Sequence, residues 1–295
     1  MWSDLTYDSV IQLLIISVLQ GGIYGLIAVS LSLVLGVQKI INIAHGDLMV
    51  FAAYIGLSLA FTLPLVWILV PVLVITILGF FIYRYLIMGR VSESSPLNRP
   101  LLITIGVSFI LENIMLIVWT TNTRFINTPI RYNVLTLAPR IQVPLLQLLS
   151  AVVGVVAPIV LWVFLYRTKL GKAIRATALD SEIAKMMGIN TKQVEQITFA
   201  IAMVLAGIAG LLVGMNFAFE PDSGLNFTLL GFAAVTVGGV NSIQGSVAGG
   251  FLLSLFGAVA ALLLGTGFQT FAMYMTFIIV LLIKPTGFMS RSRSF

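Results

Sequence analysis

Residues 10–63 read VIQLLIISVLQGGIYGLIAVSLSLVLGVQKIINIAHGDLMVFAAYIGLSLAFTL. The run from 10 to 35 is apolar for long enough to cross a bilayer, which takes roughly 20 mostly apolar residues. The run from 47 to 63 is apolar again but short. Between them stand Asn42, His45, Gly46 and Asp47. In hydrocarbon, a backbone break is tolerated only where protein or a water-filled cavity satisfies the freed amides and carbonyls. The pattern therefore predicts helices that stop and restart at membrane depth.

Further apolar runs follow at 64–87, 100–119, 146–166, 195–217, 227–240, 246–264 and 268–284, of which 227–240 is again short. The fold class expected is an all-α polytopic membrane helical bundle of about eight or nine hydrophobic segments, some discontinuous. No low-complexity stretch or soluble linker interrupts it, so 1–295 reads as a single transmembrane domain. Of its 295 residues 59% are hydrophobic and 9% charged, and the mean hydropathy is +1.10. A soluble domain carries about a quarter charged residues. This excludes a water-soluble enzyme, a nucleic-acid reader and a disordered scaffold. With no cysteine and one histidine, disulfides, thiolate chemistry and a multi-histidine metal site are excluded, and no cofactor is expected.

Orientation follows from the Lys and Arg residues. Arg84, Arg90 and Arg99 fall in one loop; Arg167, Lys169, Lys172, Arg175, Lys185 and Lys192 in a second; Lys284, Arg291 and Arg293 in the tail. With nine crossings these regions share one face, which the positive-inside rule makes cytoplasmic. The N-terminus is then expected outside and the C-terminus inside. The loop 120–147, with Arg124, Arg131 and Arg140 and no acid, opposes this, and 12 basic residues outvote its three. The segment Met1–Asp8 has no Lys or Arg, so it lacks the basic start of a cleaved signal peptide, and the first apolar run is expected to remain in the mature protein.

An internal echo links Asn42-Ile43-Ala44-His45-Gly46 with Asn241-Ser242-Ile243-Gln244-Gly245. Paired breaks of this kind point to a transporter's central site. Asn42, His45, Gly46, Asp47, Asn241, Gln244 and Gly245 are accordingly the candidates for a substrate pathway. The competing reading is structural: Asp47 as an N-cap, Asn42 ending the previous helix, and His45 hydrogen-bonded without touching cargo. Gly249 and Gly250, with the Gly21/Gly25 and Gly210/Gly214 spacings, read as close helix contacts. Glu112, an acid in an apolar run, suggests a proton or cation site or, more plainly, an interfacial hydrogen bond. Glu220 and Asp222, before Ser223-Gly224, stand at the outer end of the sixth run, as a face for an external docking partner or as a solvated acidic turn.

The polar stretch 168–193, TKLGKAIRATALDSEIAKMMGINTKQ, predicts two short amphipathic helices, with Asp180 or Ser181 as an N-cap and Gly188 at a left-handed position. By composition it is a helical hairpin lying on the bilayer; a docking handle for a soluble subunit is the alternative. No G-x-x-x-x-G-K-[ST] string occurs, so ATP-driven transport would need a nucleotide site on another polypeptide.

INIAHGDLM (41–49), LGKAIRATALDSEIAKMMGIN (170–190), TFAIAMVLAGIAGLLVG (198–214) and VGGVNSIQGSVAGG (237–250) together resemble the LivH-type permeases of branched-chain amino-acid ABC importers across nearly the whole chain. The N-x-A-H-G-[DE] block is the mark of that subunit. The resemblance implies a heterodimer with a LivM-type second permease, two cytoplasmic ATP-binding subunits, an extracytoplasmic substrate-binding protein and a bacterial or archaeal plasma membrane, with no nucleic acid. It also implies that the loop 168–193 resembles an EAA-type coupling loop, with Gly171, Arg175, Asp180, Glu182, Ala184 and Gly188 in ATPase coupling. The loop departs from a strict EAA-x-x-x-G string, reading Ser181-Glu182-Ile183-Ala184 before Gly188. The expected activity is import of branched-chain or other hydrophobic amino acids by alternating access, with the chain itself not an enzyme. The alternatives are an ABC permease for urea or short amides, an ion-coupled secondary transporter using Asp47 and Glu112, and a passive channel.

Overall fold

The computed structural model describes residues 7–60, 64–88, 98–138, 141–240 and 242–289. Eleven helices occur among them: α1 (Tyr7–Gln38), α2 (His45–Leu59), α3 (Pro64–Phe81), α4 (Asn98–Trp119), α5 (Leu145–Arg167), α6 (Lys169–Leu179), α7 (Ser181–Met186), α8 (Thr191–Asn216), α9 (Ser223–Gly238), α10 (Ile243–Leu264) and α11 (Gln269–Ile283). Helix α3 runs on through a π-helical turn, Ile82–Ile87. Strands β1 (Val134–Ala138) and β2 (Ile141–Pro144) form an antiparallel hairpin between α4 and α5. Among the described residues seven helices are long and apolar enough to cross a membrane, α11 counting together with the 3-10 turn Thr266–Phe268 before it, and the two segments read as short are the 15- and 16-residue helices α2 and α9. Asn241, Arg90, Arg140, Arg291, Arg293 and most of Met1–Asp8 lie outside the described residues.

Helix α8 is the hub, with 72% of its most apolar window buried against 11% for the last span. Its glycines allow that burial. A Cβ at Gly210 would overlap the Met49 backbone of α2, and one at Gly214 would press on Ala53 and Ile126. Helices α1 and α10 meet in the same way, Gly25 lying against Val247 and Gly250 against Tyr24 and Gly25. In lipid, where apolar side chains gain little from leaving the hydrocarbon, such small-residue contacts supply the packing that holds helices together. The glycine spacings read as helix contacts are helix contacts. The outer flanks, such as Ile117 and Leu282, stay exposed and apolar, facing lipid.

The bundle has two distinct ends. At one, Gln38 closing α1 and Tyr83 in the π-helical turn both bond to Glu195 near the start of α8; the basic helix α6, with α7 after it, lies at this end. At the far end, the Trp119 indole donates to Ser58 at the close of α2, and the loop after α4 pairs with the segment after α8, Arg124 with Phe219.

Candidate functional site at a half-helix crossing

After Gln38 the chain does not turn straight into a new helix. Lys39 adopts a left-handed φ of 55°, and the chain from 40 to 43 runs back along α1 outside any helix. By His45 it is level with Ser30, whose hydroxyl is 2.8 Å from His45 Nε2. Ser30 is eight residues from the end of α1, about 12 Å of helix rise. Helix α2 therefore starts inside the bundle. Helix α9 also starts inside it: a Cβ at Gly224 would overlap Asp47, and a Cβ at Gly46 would overlap the Gly224 carbonyl. The first turns of the two short helices meet there, N-terminus to N-terminus.

The exposed backbone of the break is satisfied by hydroxyls on neighbouring helices. Thr228 Oγ1 accepts from the Gly46 amide at 2.8 Å and lies 3.1 Å from the Ile43 and Gly224 carbonyls. Thr104 on α4 accepts from the Ile43 amide at 3.3 Å and donates towards Leu101 and Ile41. Asp47 accepts from the Ser108 hydroxyl at 2.5 Å. Its carboxylate sits in the first turn of α2 and against the first turn of α9, where both helix dipoles present their positive ends. Ser30 donates to the Ile27 carbonyl at 2.8 Å, which leaves its oxygen to accept from His45 Nε2 when the ring carries its proton there. Asn42 Nδ2 and His45 Nδ1 are buried with no hydrogen-bond partner among the described residues.

Asn42, His45 and Asp47 are each at most 2% exposed. The structure brings these three and Gly46 into one polar island, enclosed by α1, α4 and α9. Asp47 is not the N-cap; that position is Ala44, and Asp47 stands three residues in. Sequence reading missed Thr104, Ser108, Gly224 and Thr228. A hydroxyl in an apolar run routinely bonds its own helix at i−4, as Thr228 also does to Gly224, so no local signal marks the three hydroxyls, and Gly224 is one glycine among 26.

The second break is elsewhere. Gly239 turns the chain at φ 109°, Ser242 caps α10 by accepting from Gly245 N at 3.0 Å, and the amides of Phe288 and Met289 close on the Val237 and Gly238 carbonyls. Gly245 packs on Gly238 and Gln244 is exposed; Asn241 lies outside the described residues. Ten residues of α9 separate Thr228 from Gly238, about 15 Å. The two breaks thus occupy different depths. Glu112 lies half-buried on α4, one turn beyond Ser108.

The loop 168–193 folds by local rules. Thr168 caps α6, accepting from Gly171 N at 2.9 Å, and Gly171 leaves no space for a Cβ beside Leu165. Arg175 donates to the Leu165 carbonyl at 3.1 Å and stacks 4.2 Å from the Tyr166 ring centre, bracing α6 on α5. Asp180 caps α7 through the Glu182 and Ile183 amides at 2.9 and 3.0 Å. Ala184 is buried, and Gly188 leaves the helix at φ 83° with open space around it. Leu179, Ile183, Met186 and Met187 are all more than half exposed. Both short helices, the Asp180 cap and the left-handed Gly188 are as read from sequence.

A family model described as the permease component of branched-chain amino acid transport systems matches residues 13–283. The chain belongs to that family. This permease is 28% identical over 288 residues to the high-affinity branched-chain amino acid transport system permease protein LivH of Escherichia coli K12, with 92% of each chain covered. It is 29% identical over 296 residues to the corresponding protein BraD of Pseudomonas aeruginosa PAO1, covering 95% of this chain and 96% of that one. In fold it is similar to PsaBC from Streptococcus pneumoniae in complex with Fab, at a TM-score of 0.53 and 15% identity over 96% of this chain and 94% of that one. The permease family and the seven membrane-length helices make this a multi-pass membrane protein whose task is translocation rather than catalysis.

Proposed function

We propose that the chain is the LivH-type half of an ATP-driven importer for branched-chain and other hydrophobic amino acids in a bacterial or archaeal plasma membrane. It pairs with a LivM-type permease, receives cargo from an extracytoplasmic binding protein and is driven by two cytoplasmic ATPases. The observation that carries this reading is the family match over residues 13–283, strengthened by near-full-length relatives named for branched-chain amino acid transport. The basic end, with α6 and α7, is cytoplasmic by the positive-inside rule, and the far end faces outward. The exposed apolar row Leu179, Ile183, Met186 and Met187 suits a protein partner: Asp180, Ala184 and Gly188 hold α7 rigid while its outer face stays open. Gly171 and Arg175 fix α6 to α5, so displacement of the loop reaches the bundle, and Glu182 stands exposed beside the apolar row.

The substrate route passes the crossing of α2 and α9. Two half-helix N-termini attract a carboxylate, and Asp47 offers an anion for an ammonium group; an amino acid carries both charges. In alternating access the crossing is the closed state, and separating α2 from α9 exposes Asn42, His45, Gly46 and Asp47. Gln244 and Gly245, by the second break, lie on the cytoplasmic side of the same route; Asn241, their neighbour in sequence, lies outside the described residues. The test is uptake of radiolabelled leucine into proteoliposomes holding both permeases, the ATPases and the binding protein. Accumulation that needs ATP and the ATPases supports the reading; accumulation by this chain alone on an ion gradient overturns it.

A further inference from the structure

Above the α2–α9 crossing, at the far end, the bundle is shut by three layers from different parts of the chain. Tyr54 of α2 is fully buried. Its ring stacks on Trp119 at the end of α4, with centroids 5.1 Å apart, and meets Phe219 edge-on at 4.9 Å. Phe219 is held by an isolated antiparallel bridge: Arg124 N donates to Phe219 O at 2.9 Å and Phe219 N donates to Arg124 O at 3.1 Å. One residue further along each strand, the Thr123 hydroxyl donates to the Glu220 carboxylate. Ile126, fully buried, fills the space between Gly56 and Gly214.

We infer that the Arg124–Phe219 bridge and the Tyr54–Trp119–Phe219 stack form the outward gate of the permease, which parts to admit cargo to the half-helix crossing. The inference rests on the transport reading above. Three features distinguish this contact from fixed core. It is a lone bridge rather than a ladder, so opening it breaks two backbone hydrogen bonds. It joins two segments outside the regular helices, 120–125 and 217–222, which can move without unwinding a span while the Ile126 amide stays on the Gly214 carbonyl at 2.9 Å. The closed arrangement also leaves the Tyr54 hydroxyl and Arg124 Nε enclosed without hydrogen-bond partners. Both gain water when the gate parts, so polar solvation favours opening while aromatic contact favours closure. Helix α9 begins directly after the gate segment, so lifting Phe219 pulls on the turn that carries Gly224 against Asp47.

The chain has no cysteine, so an introduced pair reports cleanly. Directly opposed residues in an antiparallel pair have Cα atoms about 4.5 Å apart at a non-hydrogen-bonded pair and about 5.5 Å at a hydrogen-bonded one, both within disulfide range. Thr123→Cys with Glu220→Cys uses the first geometry at a surface position; Arg124→Cys with Phe219→Cys uses the second and replaces the first pair should that variant fail to assemble. Leucine uptake is measured in the complete reconstituted transporter, oxidised and then reduced, with closure of the disulfide followed by loss of maleimide labelling and binding-protein capture measured in parallel. The expected result is that oxidation lowers uptake at least tenfold relative to the same pair kept reduced while the binding protein is still captured, and dithiothreitol restores uptake to that reduced rate. A fully cross-linked protein that imports at the reduced rate overturns the gate. It leaves the transport reading standing, because the reduced protein's ATP-dependent uptake tests that separately.

Discussion

The amide of Gly46 donates to the hydroxyl of Thr228 at 2.8 Å, across 182 residues of sequence. This bond fastens the start of one half-helix to the side of another and satisfies a backbone group that lipid could not.

Replacing Thr228 with Val keeps the shape and removes the hydroxyl. A buried unsatisfied donor costs about 1–3 kcal/mol, so Thr228→Val should lower the unfolding temperature in detergent and reduce uptake. Thr228→Ser should recover most of both. Equal behaviour of Val and Ser would show that the Gly46 amide does not depend on this hydroxyl.

Two glycines make opposite predictions for the same substitution. A Cβ at Gly210 meets the Met49 backbone, whereas nothing lies within 4 Å of one at Gly106. Gly210→Ala should disrupt the α2–α8 contact and deplete the assembled protein from membranes. Gly106→Ala should be neutral or stabilising, by up to about 1 kcal/mol. Membrane abundance and thermal stability of the two variants check this.

In the basic-end loop, Asp180→Ala removes the cap of α7, at a cost of about 1 kcal/mol. Gly188→Ala forces a side chain into a left-handed conformation, which costs about 1–2 kcal/mol. Both should loosen α7 while sparing the spans, and so raise ATP hydrolysed per leucine imported. An unchanged ratio in both variants would remove this loop from coupling.

Arg175 braces α6 through a carbonyl and an aromatic ring at once. Lysine has no planar group to do both, so Arg175→Lys should resemble Arg175→Ala, each accelerating limited proteolysis within 168–193. Protection by Lys equal to Arg would mean that charge alone is sufficient.

Orientation can be read with single cysteines at two exposed sites, Met186→Cys at the basic end and Tyr132→Cys at the far end, 84% and 77% exposed respectively. In intact cells an impermeant maleimide should label the Tyr132 variant and reach the Met186 variant only after lysis. The reverse pattern would invert the topology argued from the basic loops.

The parts legible in sequence are those fixed by neighbours along the chain. Asp180 and Gly188 announced α7 because capping and left-handed turns act within three or four residues. Gly21, Gly25, Gly210 and Gly214 announced close contacts because small residues in apolar helices serve that purpose, although not which helices they touch. The break at Asn42–Asp47 was visible as polarity where lipid forbids it. Its partners were not, since Thr104, Ser108 and Thr228 look like any hydroxyl bonded to its own helix. The echo at residues 241–245 shares letters with the first break, but in the structure Ser242 caps a tight turn there, about 15 Å along α9 from the crossing.

Sequence by itself determined that this chain lives in a membrane as a bundle of apolar helices, that the bundle is interrupted, and that its polar loop folds as two short helices ended by Gly188. Those properties follow from hydrocarbon excluding unpaired backbone and from local hydrogen bonding. Tertiary structure alone decided that α2 and α9 meet at their N-termini, that Asp47 lies between them, and that Tyr54, Trp119 and Phe219 close the far end above. The contacts involved join residues far apart in the chain, and helix packing in three dimensions selects which of many equivalent hydroxyls, glycines and rings come together.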